Sequence, residues 1–320
     1  MITPETSVGD MLCQPEFAGY EHMVSGFPSM GGMLSDTMSI RTVCTTLGAW
    51  NPQDITDGMN YLVKRCRDGR VFYHIYSEDQ RRDDPGKSLT GIAALTLPKK
   101  SRFVAVCAGG GYGTVCSMAE AYPVIKALNE MGYAAFAVQY RCGINAEAPN
   151  PMEDLSRAIR FILSHCDELN VEQDRYAVMG FSAGGHLAAS FGTERLGYAR
   201  YDLPAPSTMM LCYPVITMGE QTNPSTKRLL LGQNPDPDAA HAFSIETQVT
   251  GNYPASFVWQ FDHDDVVPVE NSQMMVKALK ENNVPYAYET FPGTIHGAGL
   301  GTGTPAKGWL EKAVAFWNDH

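Results

Sequence analysis

The 320 residues are 44% apolar and 18% charged, the profile of a chain that buries a large core rather than one that stays disordered. A formal net charge of −11 argues against nucleic acid or anionic lipid as a partner, because both recruit a cationic face. An uncharged or cationic small molecule fits better, and the length suits one α/β domain carrying a few insertions.

The first 65 or so residues hold no clear strand pattern and are rich in Met and Gly; the one helix predicted there lies near Asp57 to Arg67. They form an N-terminal extension whose apolar residues, Met11, Leu12, Phe17, Met30, Met33 and Leu34 among them, are expected in the core, with capping of a site or a homodimer contact as the alternatives. The opening MITPETSVGDMLCQPEF lacks a basic start followed by an apolar stretch, and no run of eighteen apolar residues occurs anywhere, so a cytoplasmic protein without a membrane partner is expected. The eight cysteines are scattered without a C-x-x-C pair, and no histidines cluster at metal-ligand spacing. Reduced thiols and no metal are therefore expected.

VFYHIYS (71–77) and GIAALTLP (91–98) read as two strands around the turn-prone run EDQRRDDPGKS, a β-hairpin that would open the sheet. From residue 103 onward, short continuous apolar runs alternate with amphipathic segments. The runs FVAVCAG, YAAFAVQY, YAVMGF, TMMLCYPVI, SFVWQF and YAYETF have the character of buried parallel strands. Helices are predicted around 117–131, 152–169, 184–196, 270–282 and 306–318, which gives a doubly wound sheet with helices on both faces. The stretch from 217 to 253 breaks the alternation and is expected to lie over the C-terminal ends of the strands as a partial lid.

Gly180-Phe181-Ser182-Ala183-Gly184-Gly185-His186 falls between a strand and a helix, the context a nucleophile elbow requires. A turn that tight leaves no room for side chains two positions before and after the serine, and Gly180 and Gly184 meet that demand. A serine hydroxyl needs a base to take its proton, and on such a turn the acid and the base follow it in chain order. His296, in the glycine-flanked loop after YAYETF, is the best placed of eight histidines. His22, His74, His165, His241 and His320 lack comparable context, and His186 precedes the acid in order, so packing or substrate contact suits it better. Asp262, Asp264 and Asp265 all follow SFVWQF and compete for the role of acid; spacing does not choose between them. Backbone donors for an oxyanion are expected from Ala183, directly after the serine, and from Gly110 and Gly111 in the Cys107–Tyr112 loop. That loop fits neither the P-loop nor the dinucleotide-binding spacing.

With these three motifs in order, A-G-G-G-Y, G-F-S-A-G-G-H and H-G-A-G-L, residues 100 to 320 resemble the α/β-hydrolase family, and within it the bacterial esterases of the hormone-sensitive-lipase and acetyl-xylan or feruloyl esterase type. The resemblance implies an acid in a D-x-x-V-P string, which selects Asp264 with Asp265 as runner-up. It further implies hydrolysis of short acyl esters, of sugars or simple alcohols, through an acyl-enzyme without a cofactor. Ala108 stands where the lipase-like branch often has a histidine. A serine peptidase or amidase of the same fold, and a non-catalytic binding protein, are the competing readings.

Overall fold

In the computed structural model, which describes residues 1–24 and 34–320, the apolar runs form one eight-stranded sheet. Its strands are β1 (Phe72–Tyr73), β2 (Gly91–Leu95), β3 (Phe103–Cys107), β4 (Ala134–Gln139), β5 (Ala177–Phe181), β6 (Thr208–Cys212), β7 (Ala255–Phe261) and β8 (Tyr286–Phe291), in the order β1-β2-β4-β3-β5-β6-β7-β8. From β4 to β8 every pairing is parallel, and β2 joins β4 antiparallel through the register Ala93↔Ala137. Strands β3, β5, β6 and β7 are buried along their whole length, which is why they read as unbroken apolar runs instead of alternating ones.

The expected hairpin is present only in outline. β1 and β2 do pair antiparallel, with Phe72 opposite Ala93, but β1 is two residues long and the connection is not a turn. Ser77 begins a capping box with Gln80, so EDQRRDDPGKS, expected as a charged turn, folds into a short helix followed by a 3₁₀ turn.

The helices in chain order are α1 (Val8–Leu12), α2 (Ile40–Leu47), α3 (Pro52–Asp68), α4 (Glu78–Asp83), α5 (Tyr122–Glu130), α6 (Asn150–Ser164), α7 (Cys166–Leu169), α8 (Ser182–Phe191), α9 (Pro224–Leu231), α10 (Pro237–Ala242), α11 (Glu270–Glu281) and α12 (Trp309–Asp319). The helix predicted over 152–169 breaks at His165, and the one predicted at 184 starts two residues earlier, on the serine itself. The N-terminal extension is more ordered than its sequence suggested. In α3, Asn51 caps the first turn, Pro52 occupies the first helical position, and Arg65 and Arg67 sit in the last turn where the helix dipole favours them. Met11 and Phe17 are fully buried in the common core, while Leu12 and Leu34 are partly buried against it; Met30 and Met33 lie outside the described residues. Among the described residues no helix is long and apolar enough to cross a membrane. The stretch from 217 to 253 is not a bare loop: it holds α9 and α10, started by Asn223 and Asp236 caps.

Candidate active site

Ser182 is the first residue of α8, directly after β5, and has φ 53°, a left-handed conformation that L side chains rarely adopt. The turn is closed so tightly that a Cβ on Gly180 would stand 2.1 Å from the Gly184 carbonyl oxygen, and one on Gly184 would stand 2.2 Å from that of Cys107. Neither position tolerates any other residue, which is the physical content of the glycine pair read in the sequence.

His296 lies in the loop after β8. Ser182 Oγ donates to its Nε2 at 2.8 Å, and its Nδ1 donates to Asp264 Oδ2 at 2.7 Å. Of the three competing aspartates only Asp264 is buried. Its Oδ1 accepts from the backbone of Val266 (3.0 Å) and Val267 (2.9 Å), and Gln260 Nε2 reaches Oδ2 at 3.3 Å. Asp262 instead accepts from His263 and from the Gly293 amide, and Asp265 is exposed.

Gly110 and Gly111 line the pocket in front of Ser182, and their backbone N–H groups have no hydrogen-bond partner among the described residues. Ala183 stands in the first turn of α8, where an N–H has no intrahelical carbonyl to meet. Of the three expected donors, Gly110 and Gly111 border the pocket beside Ser182, and Ala183 follows the serine directly. The pocket measures about 230 Å³ and is completed by Trp50, Cys116, Glu120, Asn223, Thr226, Val266 and Val267. Asn223 and Thr226 come from the start of α9, so the insertion does contribute a wall. A larger cavity of about 320 Å³ lies between α6 and α8, with Tyr112 and His186 in its wall, and holds none of the Ser182 relay. Among the described residues no group of three or more His, Cys, Asp or Glu side chains is arranged to hold a metal ion.

His186 has a structural part. Tyr112 Oη donates to its Nδ1 at 2.9 Å, and its Nε2 donates to the Phe243 carbonyl at 2.8 Å, which ties the glycine loop to the insertion. Burial lowers its pKa from 6.5 to about 4, so the imidazole stays neutral in the folded protein. The unfolded chain takes up that proton at higher pH, so the stability from neutral His186 is complete above about pH 6.5 and is lost as pH falls toward 4. We expect native protein to lose roughly 2 kcal/mol more than His186→Gln between pH 7 and pH 5, read from urea midpoints at the two pH values. Parallel losses in the two proteins would show that His186 does not titrate this way.

Glu120 escaped the sequence reading. It sits in a π-helical turn, Ser117–Ala121, that leads into α5, a local irregularity of a kind often found at functional sites. Its Oε2 accepts from the Gly109 amide at 2.6 Å, and its Oε1 accepts from Trp50 Nε1 at 3.1 Å and Tyr213 Oη at 2.8 Å. Tyr213 Oη in turn accepts from the Gly299 amide, and the Tyr213 ring packs edge-on against His296 at 5.0 Å. One buried carboxylate therefore joins the glycine loop, the N-terminal extension and the histidine loop. Burial pushes its pKa up, while the Gly109 amide, Tyr213, Trp50 and His296 pull it down. The sequence offered only one signal, an acidic residue among small apolar ones just past the glycine loop. Because all three partners donate, the amide of Glu120→Gln would have to turn its NH₂ toward a donor. A mismatch of about 1–3 kcal/mol is expected to lower kcat/KM at least about tenfold with the circular dichroism spectrum unchanged. An unaltered rate would remove Glu120 from the machinery.

A doubly wound sheet with a strained serine at a strand-to-helix turn, and its histidine and aspartate on loops after β8 and β7, defines an α/β hydrolase. Residues 96–279 match the BD-FAE family, and the chain belongs to it. It is 34% identical over 248 residues to endo-1,4-beta-xylanase B of Butyrivibrio fibrisolvens, covering 75% of this chain and 36% of that one. It is 28% identical over 224 residues to the acetylxylan esterase of Xylanibacter ruminicola, covering 68% of this chain and 45% of that one. The chain thus spans less than half the length of these two relatives. Among solved structures, the acetyl ester-xyloside bifunctional hydrolase of Caldicellulosiruptor lactoaceticus is 31% identical with a TM-score of 0.70, over 78% of this chain and 95% of that one.

Proposed function

We propose that this chain is a serine carboxylesterase that removes short acyl groups, acetyl foremost, from sugar or oligosaccharide esters. The observation that carries the reading is the Ser182–His296–Asp264 relay opening onto a small pocket beside the Gly110 and Gly111 amides, which have no partner among the described residues. In the proposed cycle His296 takes the Ser182 proton as Oγ attacks the ester carbonyl, and the oxyanion is held by the amides of Gly110, Gly111 and Ala183. His296 then gives its proton to the leaving alcohol, an acyl-Ser182 remains, and a water activated by His296 releases the acid.

A pocket of about 230 Å³ supports a small substrate group. The acetyl-ester names of two relatives support the acyl choice, and Asn223 and Thr226 offer polar contacts of the kind a sugar hydroxyl takes. Two relatives also carry xylan- or xyloside-cleaving names. Glycoside hydrolysis ordinarily uses a pair of carboxylates flanking the bond, whereas among the described residues Glu120 is the one carboxylate lining this pocket and it is fully occupied by donors.

The test is a panel of 4-nitrophenyl acetate, butyrate and octanoate, acetylated xylo-oligosaccharides and a peptide 4-nitroanilide. The expected order is acetate over butyrate over octanoate, with acetate released from the oligosaccharides. Faster turnover of the anilide than of every ester would replace the esterase by an amidase.

A further inference from the structure

We propose that Trp50, supplied by the N-terminal extension, is the partition that limits the size of ester reaching Ser182. The inference rests on the esterase reading of that serine. Trp50 lies outside the segment that matches the family, in the short connection between α2 and α3. That connection is fixed at both ends. Gly48 closes α2 in a left-handed conformation, Trp50 itself has φ 58°, and Asn51 caps α3 by accepting from the amides of Gln53 and Asp54.

From this corner the indole reaches across the molecule. The Trp50 backbone N–H donates to the Gly297 carbonyl at 2.8 Å, next to His296, and Nε1 donates to Glu120 Oε1 at 3.1 Å. The ring lies along the histidine loop so closely that a methyl group at Gly297 would stand 3.2 Å from Nε1. On one side of the indole is the 230 Å³ pocket of Ser182; on the other is an open cleft of about 400 Å³, lined by residues such as Cys44, Thr45, Ala49, Ile295 and Thr302. Trp50 is the one residue among those described that lines both. Taking the indole away would join the two spaces, and a chain too long for the native pocket could run into the cleft.

The experiment compares native protein, Trp50→Ala and Trp50→Phe on two series, 4-nitrophenyl esters of rising acyl length and acetates of rising alcohol size. Trp50→Ala is expected to raise the kcat/KM ratio of the largest to the smallest member at least about tenfold in one series, as expected when a pocket gains room for several methylenes. Trp50→Phe, which keeps a plate but loses the N–H, is expected to stay within about threefold of native selectivity. The series that responds identifies the half of the ester that faces the indole. An unchanged ratio in both series overturns the proposal. So does an equal gain in Trp50→Phe, since the lost bond to Glu120 would then be the cause. Diethyl and dibutyl 4-nitrophenyl phosphates serve as the second readout. Ser182 Oγ attacks phosphorus, 4-nitrophenolate leaves and the enzyme stays phosphorylated, so the size preference is read without ester turnover. If no ester is hydrolysed while the bulkier phosphate gains on the smaller one in Trp50→Ala, the esterase reading fails and the partition stands.

Discussion

Ser182→Ala is expected to lower kcat/KM for 4-nitrophenyl acetate by at least about 10⁴-fold, with the melting temperature within a few degrees of native. Among the described residues Ser182 Oγ is the only hydroxyl hydrogen-bonded to His296 Nε2, so its loss removes the nucleophile and leaves the base nothing to deprotonate except water. The fold should not notice. Among the described residues Oγ makes one hydrogen bond, and alanine keeps the Cβ that makes φ 53° costly, so the strain of the turn is the same in both proteins. Equal rates in the two proteins would mean that another group attacks the ester. A large drop in melting temperature would mean that the hydroxyl holds the turn together.

Asp264→Asn is expected to cost about 10³- to 10⁴-fold in kcat with little change in KM. The surroundings of the carboxylate dictate how the amide must sit. Oδ1 accepts from the amides of Val266 and Val267, so the asparagine oxygen is held there and its NH₂ is forced toward His296 Nδ1. That nitrogen must then accept, which moves the imidazole proton to Nε2 and points it at Ser182. A histidine in this tautomer cannot take the serine proton. The new NH₂ also faces Gln260 Nε2, whose orientation is fixed by donation to the Val267 carbonyl at 2.6 Å and by Ser272 donating to Gln260 Oε1 at 2.5 Å. Slow phosphorylation of the variant by diethyl 4-nitrophenyl phosphate would place the defect in attack by Ser182. Asp265→Asn, on an exposed side chain, serves as the comparison and should behave as native; a loss there equal to that of Asp264→Asn would reopen the choice of acid.

Much of this molecule was legible before any coordinates because its strongest signals are local. A buried parallel strand must be apolar along its length, so the runs at β3, β5, β6 and β7 announce themselves without reference to their neighbours. The turn at Ser182 demands glycine at two fixed offsets because the clashes at Gly180 and Gly184 arise within eight residues of Gly180 and from Cys107 and Ala108 at the end of β3 alongside. The order of serine, aspartate and histidine follows from the winding of the sheet, which chain order already encodes.

What the sequence left open was decided by contacts between segments far apart. Spacing left three aspartates after β7, and burial with two backbone donors distinguishes Asp264. The charged run before β2 was expected as a turn, yet a capping box at Ser77 made it helical, a case where a local signal was present and read too coarsely. Glu120 carried only the faint signal of an acid among small apolar residues, and Trp50 carried none. A lone glutamate near a glycine loop and a lone tryptophan in an extension become parts of one site only because α3 packs against α5 and brings position 50 to position 120. The sequence by itself pointed to the strands and the strained turn, which sterics over a few residues set, and to Ser182 and His296, which the turn and the chain order single out. Only the tertiary structure shows that Asp264, which spacing left open and the family resemblance favoured, is the aspartate bonded to His296, and which walls enclose the pair, because burial and hydrogen-bond geometry are properties of the packed chain.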